Sequence, residues 1–342
     1  MNTKLKKLIP LFALASCFTA TSVFAGEDTN GTPKAQYSVA PAKNPGGEDA
    51  LAFYIQAAYT FWVPYQEGMN LAYSGTNATA DLPGNIISPS INGCSGFKVA
   101  IGANTMHDGW MVGLNYAWFN ISPAMATNKF LDGRTYISTF DDSGDTINSI
   151  SSKWSNQFNR LDGQLDRTFY AGHYLTFRPW LGLLGAWDNQ HLDANENENE
   201  SQSIVVDEQV RWQQSWWGVG PYAGVEASYF FTSEWALYIS SGGSMLLANH
   251  CLTQAEYEME GNAVGTYEFN QKNNLYNVEP MIETSLGLRW ESFWTEWALC
   301  IDLSWELQTY FSHNGFQSFD SPMGLMGNYS MQGLTAAVKV SF

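Results

Sequence analysis

Residues Leu334 to Phe342 read Leu-Thr-Ala-Ala-Val-Lys-Val-Ser-Phe. Leu334, Ala336, Val338, Val340 and Phe342 fall on one side of a period-two strand. An apolar or small residue at every second position, closing on an aromatic ring, is the pattern expected of the last strand of an outer-membrane β-barrel. Such a strand turns one face to lipid and pairs its backbone with the first strand, because no open sheet edge survives in hydrocarbon. The last strand of a soluble sandwich can alternate in the same way, so the remainder of the chain has to decide. If the barrel reading holds, these five residues are also the signal expected to engage the barrel-assembly machinery.

The composition favours the barrel. Of 342 residues only 14% are charged while 15% are aromatic, including 14 Trp and 17 Tyr, an excess suited to amphipathic rings at two membrane interfaces. Mean hydropathy is mildly negative, and beyond the N-terminus no apolar run approaches the ~20 residues that a spanning helix needs. At this length a barrel can form one domain.

The N-terminus reads as an export signal over residues 1–25. Lys4, Lys6 and Lys7 precede an apolar stretch from Leu8 to Phe18, and Val23-Phe24-Ala25 offers a cleavage site after Ala25. Leu14-Ala15-Ser16-Cys17 also resembles a lipoprotein site that would leave Cys17 lipidated. Cleavage after Ala25 removes three lysines and no acid, moving the net charge from −17 to −20. That disfavours nucleic acid as a partner and suits exported surface loops or a lumen preferring cations. Residues 26–50, with Pro33, Pro41, Pro45, Gly46 and Gly47, read as a flexible periplasmic leader.

The barrel is expected over 51–342. Leu51 to Trp62 opens it, with Phe53, Ile55, Ala57, Tyr59 and Phe61 on one face. Asp108-Gly109 joins Gly96–Thr105 to Trp110–Phe119 as a tight hairpin. Further hairpins turn at Ala171-Gly172, at Thr232-Ser233-Glu234 and near 293. In the last of these, Trp297, Leu299, Ile301, Leu303, Trp305 and Leu307 alternate without error against Glu296, Ala298, Cys300, Asp302, Ser304 and Glu306. Between the hairpins lie polar stretches at 63–95, 120–152, 189–208, 249–275 and 312–327, read here as long outer loops. The run Asp193-Ala194-Asn195-Glu196-Asn197-Glu198-Asn199-Glu200 in particular reads as solvated loop. The expectation is therefore an all-β, transmembrane, antiparallel up-and-down barrel with short periplasmic turns and long extracellular loops. Ten strands are counted, and up to fourteen are compatible with alternating pieces inside the long links.

Period-two phase sends Lys98, Arg160, Asp162, Asp166, Arg178, Glu226, Glu279, Glu283, Arg289, Asp302, Glu306 and Lys339 into the lumen. In a wet lumen they line an ion path and set its preference. In a barrel barely wider than the eight-stranded kind they can equally pair into a plug, with Arg289 held by Glu283 or Glu306. His191, His250 and His313 are placed on outer loops without a diagnostic catalytic spacing, so no enzyme, cofactor or metal is expected. Asp141–Asp145 and the Asn-Glu run at 195–200 lack a full calcium-loop pattern and read as solvated loop. Cys94 and Cys251 are candidates for a disulfide across outer loops. Cys300 points inward as a small lumen residue. The odd number of mature cysteines leaves open one bridge with a spare thiol, or links to other chains.

Several blocks also resemble a known family. Phe61-Trp62-Val63-Pro64-Tyr65 with Gly68 and Ala72-Tyr73, and Gly96-Phe97-Lys98-Val99 leading through Trp110 and Tyr116 to Trp118-Phe119, resemble the opening of pore-forming outer-membrane proteins of the Legionella and Chlamydia-related, major outer membrane protein type. Arg178-Pro179-Trp180-Leu181-Gly182 with Ala186-Trp187, Trp217-Gly218-Val219-Gly220-Pro221 with Gly224, Leu286-Gly287-Leu288-Arg289-Trp290-Glu291, and Gln332-Gly333-Leu334-Thr335 follow in family order. The resemblance implies a surface-exposed barrel that forms pores or stiffens the envelope, and supplies no catalytic motif. Three mature cysteines are few beside its disulfide-linked, cysteine-rich relatives. The expected function is passive diffusion of small hydrophilic solutes or ions across a bacterial outer membrane, with a structural share. The alternative is a closed structural or adhesive barrel whose loops meet host or partner molecules. Expected partners are outer-membrane lipid, the assembly machinery, small solutes or ions and, as an open alternative, further copies of the chain.

Overall fold

Every backbone N–H and C=O that enters hydrocarbon must find a partner within the protein, and this chain solves that requirement by closing a sheet on itself. The computed structural model describes residues 51–74, 86–89, 91–105, 109–129, 136–138, 146–198, 206–260, 263–294, 296–316 and 326–342. The proposed signal and leader segments, 1–25 and 26–50, lie outside them. In chain order the strands are β1 (Ala52–Gln66), β2 (Ala72–Ser74), β3 (Ile86–Ile87), β4 (Cys94–Asn104), β5 (Trp110–Lys129), β6 (Tyr136–Ser138) and β7 (Thr146–Arg167). They continue with β8 (Phe169–Tyr170), β9 (Leu175–Glu198), β10 (Val206–Phe230), β11 (Trp235–Glu260), β12 (Ala263–Phe293), β13 (Ala298–Asn314) and β14 (Gly327–Ser341).

Ten of these form a ring of antiparallel neighbours. The order is β1-β4-β5-β7-β9-β10-β11-β12-β13-β14, and β14 returns to β1. The short β2, β3, β6 and β8 pair onto this wall without adding a stave. The expected count of ten therefore holds, and the pieces that suggested up to fourteen are these side strands and extensions of the staves. At the seam Phe61 faces Leu334 and Tyr54 faces Ser341. Phe53 and Phe342 exchange both backbone hydrogen bonds, at 2.8 and 2.9 Å. The terminal aromatic thus locks the first strand to the last.

The period-two phase read from sequence is the phase observed. On β1, Phe53, Ile55, Ala57, Tyr59, Phe61 and Val63 face outward, while Tyr54, Ala58, Thr60 and Trp62 are buried inside. The outer wall keeps large apolar side chains in the open around its circumference, Leu181 and Leu183 at 64% and 66% exposure, for example. Exposed aliphatic faces this continuous are not left to water; they are the lipid band. At the periplasmic turns Gly109 and Gly172 take positive φ of 69° and 87°, which the tight reversals require. At the last turn Trp294 donates its backbone N–H to the Trp297 carbonyl at 2.8 Å, and the two indoles stack 3.9 Å apart.

The long links differ from the expectation. Much of 120–152, 189–208 and 249–275 is strand, not loop: β5, β7, β9, β10, β11 and β12 run on past the apolar band. Asn195, Glu196 and Asn197 pair with β10 on one side and β7 on the other. Lipid excludes such residues, but above the bilayer a strand flanked on both sides keeps its ladder bonds, with Asn195 exposed to water and Glu196 buried on the other face. Asp141–Asp145 and residues 199–205 lie outside the described residues.

The seam is tightly closed at Gly333. Gly333 lies opposite Trp62, and a Cβ there would press on the Phe61 carbonyl oxygen and sit 2.7 Å from the Trp62 Cα. Gly333→Ala is therefore expected to cost about 1–3 kcal/mol through overpacking, read as a lower heat-modification temperature on a gel. An unchanged temperature would mean that the seam has room to spare.

Candidate functional site in the barrel lumen

All twelve charged side chains expected inside project inward, and almost all are engaged. Lowest, near the periplasmic end, β9 and β10 place Arg178 directly opposite Glu226, and β12 and β13 place Arg289 directly opposite Asp302. Arg178 Nη2 donates to Glu226 Oε2 at 3.0 Å. Arg289 reaches across to the same carboxylate with Nη1 at 2.7 Å and Nη2 at 3.2 Å, while its Nε donates to Asp302 Oδ1 at 2.8 Å. Glu226 is thus shared by two guanidiniums. The sequence offers Glu283 or Glu306 as partners for Arg289; the partners in the structure are Glu226 and Asp302. Arg289 also lies over the Tyr238 ring, Lys339 lies over the Tyr54 ring, and Gln164 donates to Asp166.

One level up, Arg160 Nε donates to Asp162 Oδ1 at 3.0 Å, the two sharing a face of β7, and its Nη1 pairs with Glu283. Tyr222 donates its hydroxyl to Glu283, and Asn115 donates to Asp162 at 2.7 Å. Lys98 pairs with Glu306 and lies 4.6 Å from the Trp62 ring centroid. These groups surround a cavity of about 210 Å³, lined also by Gln56, Ser304 and Thr335. Its walls present both signs of charge and several hydroxyls.

Above the cavity the lumen is filled by rings. Trp62 on β1 stacks on Phe119 of β5, 4.5 Å between centroids. Phe158 on β7 meets Tyr310 of β13 at 5.3 Å, Tyr329 of β14 at 6.0 Å and Trp216 of β10 at 6.4 Å. These contacts cross the barrel from wall to wall, and Trp62, Phe158, Tyr310 and Tyr329 are wholly inaccessible to water. Embedded among them is His313, with Nδ1 2.8 Å from Glu279 Oε1 and Nε2 2.9 Å from Asp188 Oδ2. Trp216 Nε1 donates to the other Glu279 oxygen at 2.9 Å, Gln190 donates to Asp188 at 2.7 Å, and His250 approaches Glu279 at 3.4 Å. With a carboxylate on each ring nitrogen, the His313 imidazole bonds both only when each nitrogen carries a proton.

The lumen and its lipid-facing wall come from a chain whose residues 45–342 match a single family, described as the Legionella pneumophila major outer membrane protein precursor. The chain belongs to that family. Major outer membrane proteins of this family are outer-membrane proteins, as the wall chemistry requires. No curated protein matches the chain. Solved structures with remote likeness include a major outer membrane protein from Thermus thermophilus, 12% identical, TM-score 0.31, covering 86% of this chain and 100% of that one. The outer membrane protease OmpT from Escherichia coli is 9% identical, TM-score 0.41, covering 85% and 97%. A FadL homologue from Pseudomonas aeruginosa is 9% identical, TM-score 0.28, covering 89% and 95%. Likenesses this remote do not bear on function.

Two sequence expectations are corrected within this family member. Cys94 and Cys251 are free, as is Cys300. Cys94 is buried inside on β4, while Cys251 lies on the outward face of β11, between the inward-facing, buried His250 and Leu252, so the barrel wall separates the two thiols. Cys300 does point inward, 3.5 Å from Asp302 Oδ1. His250 and His313 are not loop residues but are buried in the lumen on β11 and β13; His191 is exposed on β9. The aromatic layer was missed although the signal was present. Extending the inward phase of β1 from Tyr54 through Thr60 lands on Trp62, and the same count on β7 and β10 lands on Phe158 and Trp216.

Proposed function

We propose that the barrel is a narrow pore for small ions or hydrophilic solutes, held shut in this conformation by the aromatic layer, with a structural role in the envelope. The observation that carries this reading is the charged cavity beneath that layer. A barrel needed only as a stiff cylinder is filled more cheaply by uncharged side chains, since burying ion pairs rarely adds stability. Lys98, Arg160, Asp162, Glu283, Asp302 and Glu306 around a space large enough for several waters are instead what a desolvating ion needs. Below them Asp166, Arg178, Glu226, Arg289 and Lys339 continue the path to the periplasm, and Glu279 lies at its outer gate.

Export by a cleaved signal over residues 1–25 and assembly through the closing strand belong to the same reading, and catalysis does not. The acid–imidazole cluster at Asp188, His313 and Glu279 has no water-accessible surface for a substrate to reach. The second reading, a sealed structural barrel whose rim meets other molecules, is favoured by the same aromatic layer.

Planar-bilayer recording separates the two. Discrete openings of the refolded wild type are expected, and well-folded protein that never opens would leave the sealed barrel. In the open state, Glu306→Gln with Asp302→Asn leaves Lys98 and Arg289 less compensated. The reversal potential in a salt gradient is then expected to move toward anion preference. An unmoved potential would take these two carboxylates off the ion path.

A further inference from the structure

Alternation does not bring His313 into the lumen. Ile301, Leu303, Trp305 and Leu307 put the odd-numbered residues of β13 on the outer wall, a phase that assigns His313 to the outside as well. It is instead wholly buried inside, because the β13–β14 register shifts between Tyr310 and Asn314 and Ser312 takes a left-handed φ of 58°. A residue with a Cβ keeps that backbone only where its surroundings impose it, and such strain collects at functional sites. Here Asn328 Oδ1 accepts from the Ser312 N–H at 3.1 Å, and Gln214 donates to the His313 carbonyl at 2.9 Å.

The inturned imidazole ties distant staves together. Glu279 belongs to the neighbouring β12, but Asp188 stands on β9, with β10, β11 and β12 between it and β13 in the ring. The other titratable groups facing the ring are His250 on β11, Tyr310 on β13 and Tyr329 on β14. Cys94 of β4 lies toward Tyr329, and Arg160 and Glu283 pair with each other one level below. Two carboxylates against one imidazolium leave a negative remainder, so a proton gained by His250, 3.4 Å from Glu279, acts in the same sense as the one on His313.

We propose that His313 is a proton-linked latch on the gate: the closed barrel holds a proton on the imidazole between Asp188 and Glu279, and opening, which parts β13 from β9 and wets the ring, releases it. The latch rests on the pore reading above. In an open, wet lumen the ring titrates near the ordinary histidine value of about 6.5, and carboxylates near about 4. Below about 6.5 both states carry the proton and the latch acts in full; above it, closing must take a proton up. Rising pH therefore favours opening, by at most about one decade per pH unit for a single proton.

Two measurements on refolded protein test this. Histidine-selective nitrogen-15 NMR in detergent micelles at pH 8 is expected to show one imidazole with both nitrogens protonated, a signal absent from His313→Gln. A neutral His313 ring would overturn the latch whether or not the barrel conducts. In planar bilayers the open-to-closed ratio of the wild type is expected to rise at least ~10-fold from pH 7 to pH 9, and that of His313→Gln less than ~2-fold. Cys94 and the tyrosines remain in the variant, so the difference isolates His313. Heat modification on a gel confirms folding; if His313→Gln does not fold, Asp188→Asn, which removes the far acceptor, is expected to lessen the same rise. Equal wild-type ratios at the two pH values, a fall at pH 9, or an undiminished rise in the folded variant would each overturn the latch alone. A folded wild type that carries the imidazolium and opens at neither pH ends the pore reading, and the latch with it.

Discussion

Glu226→Gln is expected to destabilise the folded barrel by about 2–4 kcal/mol, because it removes a buried anion shared by two partly buried guanidiniums. Arg289 keeps Asp302 at 2.8 Å, so most of the penalty falls on Arg178, which is ion-paired with Glu226 at 3.0 Å. The substitution preserves shape and some hydrogen bonding, which isolates the charge. The measurement is the denaturant midpoint of the protein in micelles. Adding Arg178→Met should recover a large part of the loss, since the surplus cation leaves with its partner. A loss below about 1 kcal/mol, the range of solvent-screened pairs, would mean that water reaches this level of the lumen freely.

Phe158→Ala is expected to turn rare openings into sustained current. Phe158 touches Phe119, Trp216, Tyr310 and Tyr329, so the ring layer loses its hub when this side chain is cut back. Truncating a buried Phe typically removes about 3–5 kcal/mol of packing. If that packing holds the layer shut, its loss moves the closed-to-open ratio by at least ~10²-fold, at 1.4 kcal/mol per decade. Time-averaged current through folded variant and wild type at one voltage decides the matter. Equal currents would place any conducting route away from the ring layer.

The wall of this protein was legible in its sequence and the contents of the lumen only partly so. Alternation is a local signal, and Leu334–Phe342, Trp297–Leu307 and Leu51–Trp62 each state their outward face without help from the rest of the chain. Ten staves, short turns at Gly109 and Gly172, and the inward phase of the charged residues follow from that. Which charge meets which does not, because it depends on the stagger of neighbouring strands. Arg289 finds Glu226 from two strands away, a pairing that no spacing along the chain encodes. Cys94 and Cys251 could be considered as a pair only as loop residues; on strands, their phases put one inside the wall and the other outside. Strand ends were misjudged for a different reason. The polarity of residues 189–198 says that they are out of lipid, and being out of lipid was equated with being out of the sheet.

That last distinction alters what a neighbouring cell or an antibody meets. β11 continues from Leu247 to Glu260, roughly 44 Å of extended chain at ~3.4 Å per residue, and its neighbours rise with it. The residues presented outward on this collar are fixed two apart along one strand and side by side with residues far away in sequence. Sera raised against free peptides such as 189–198 would therefore find their target already folded into a wall, and recognition of the intact cell surface is recognition of a discontinuous patch.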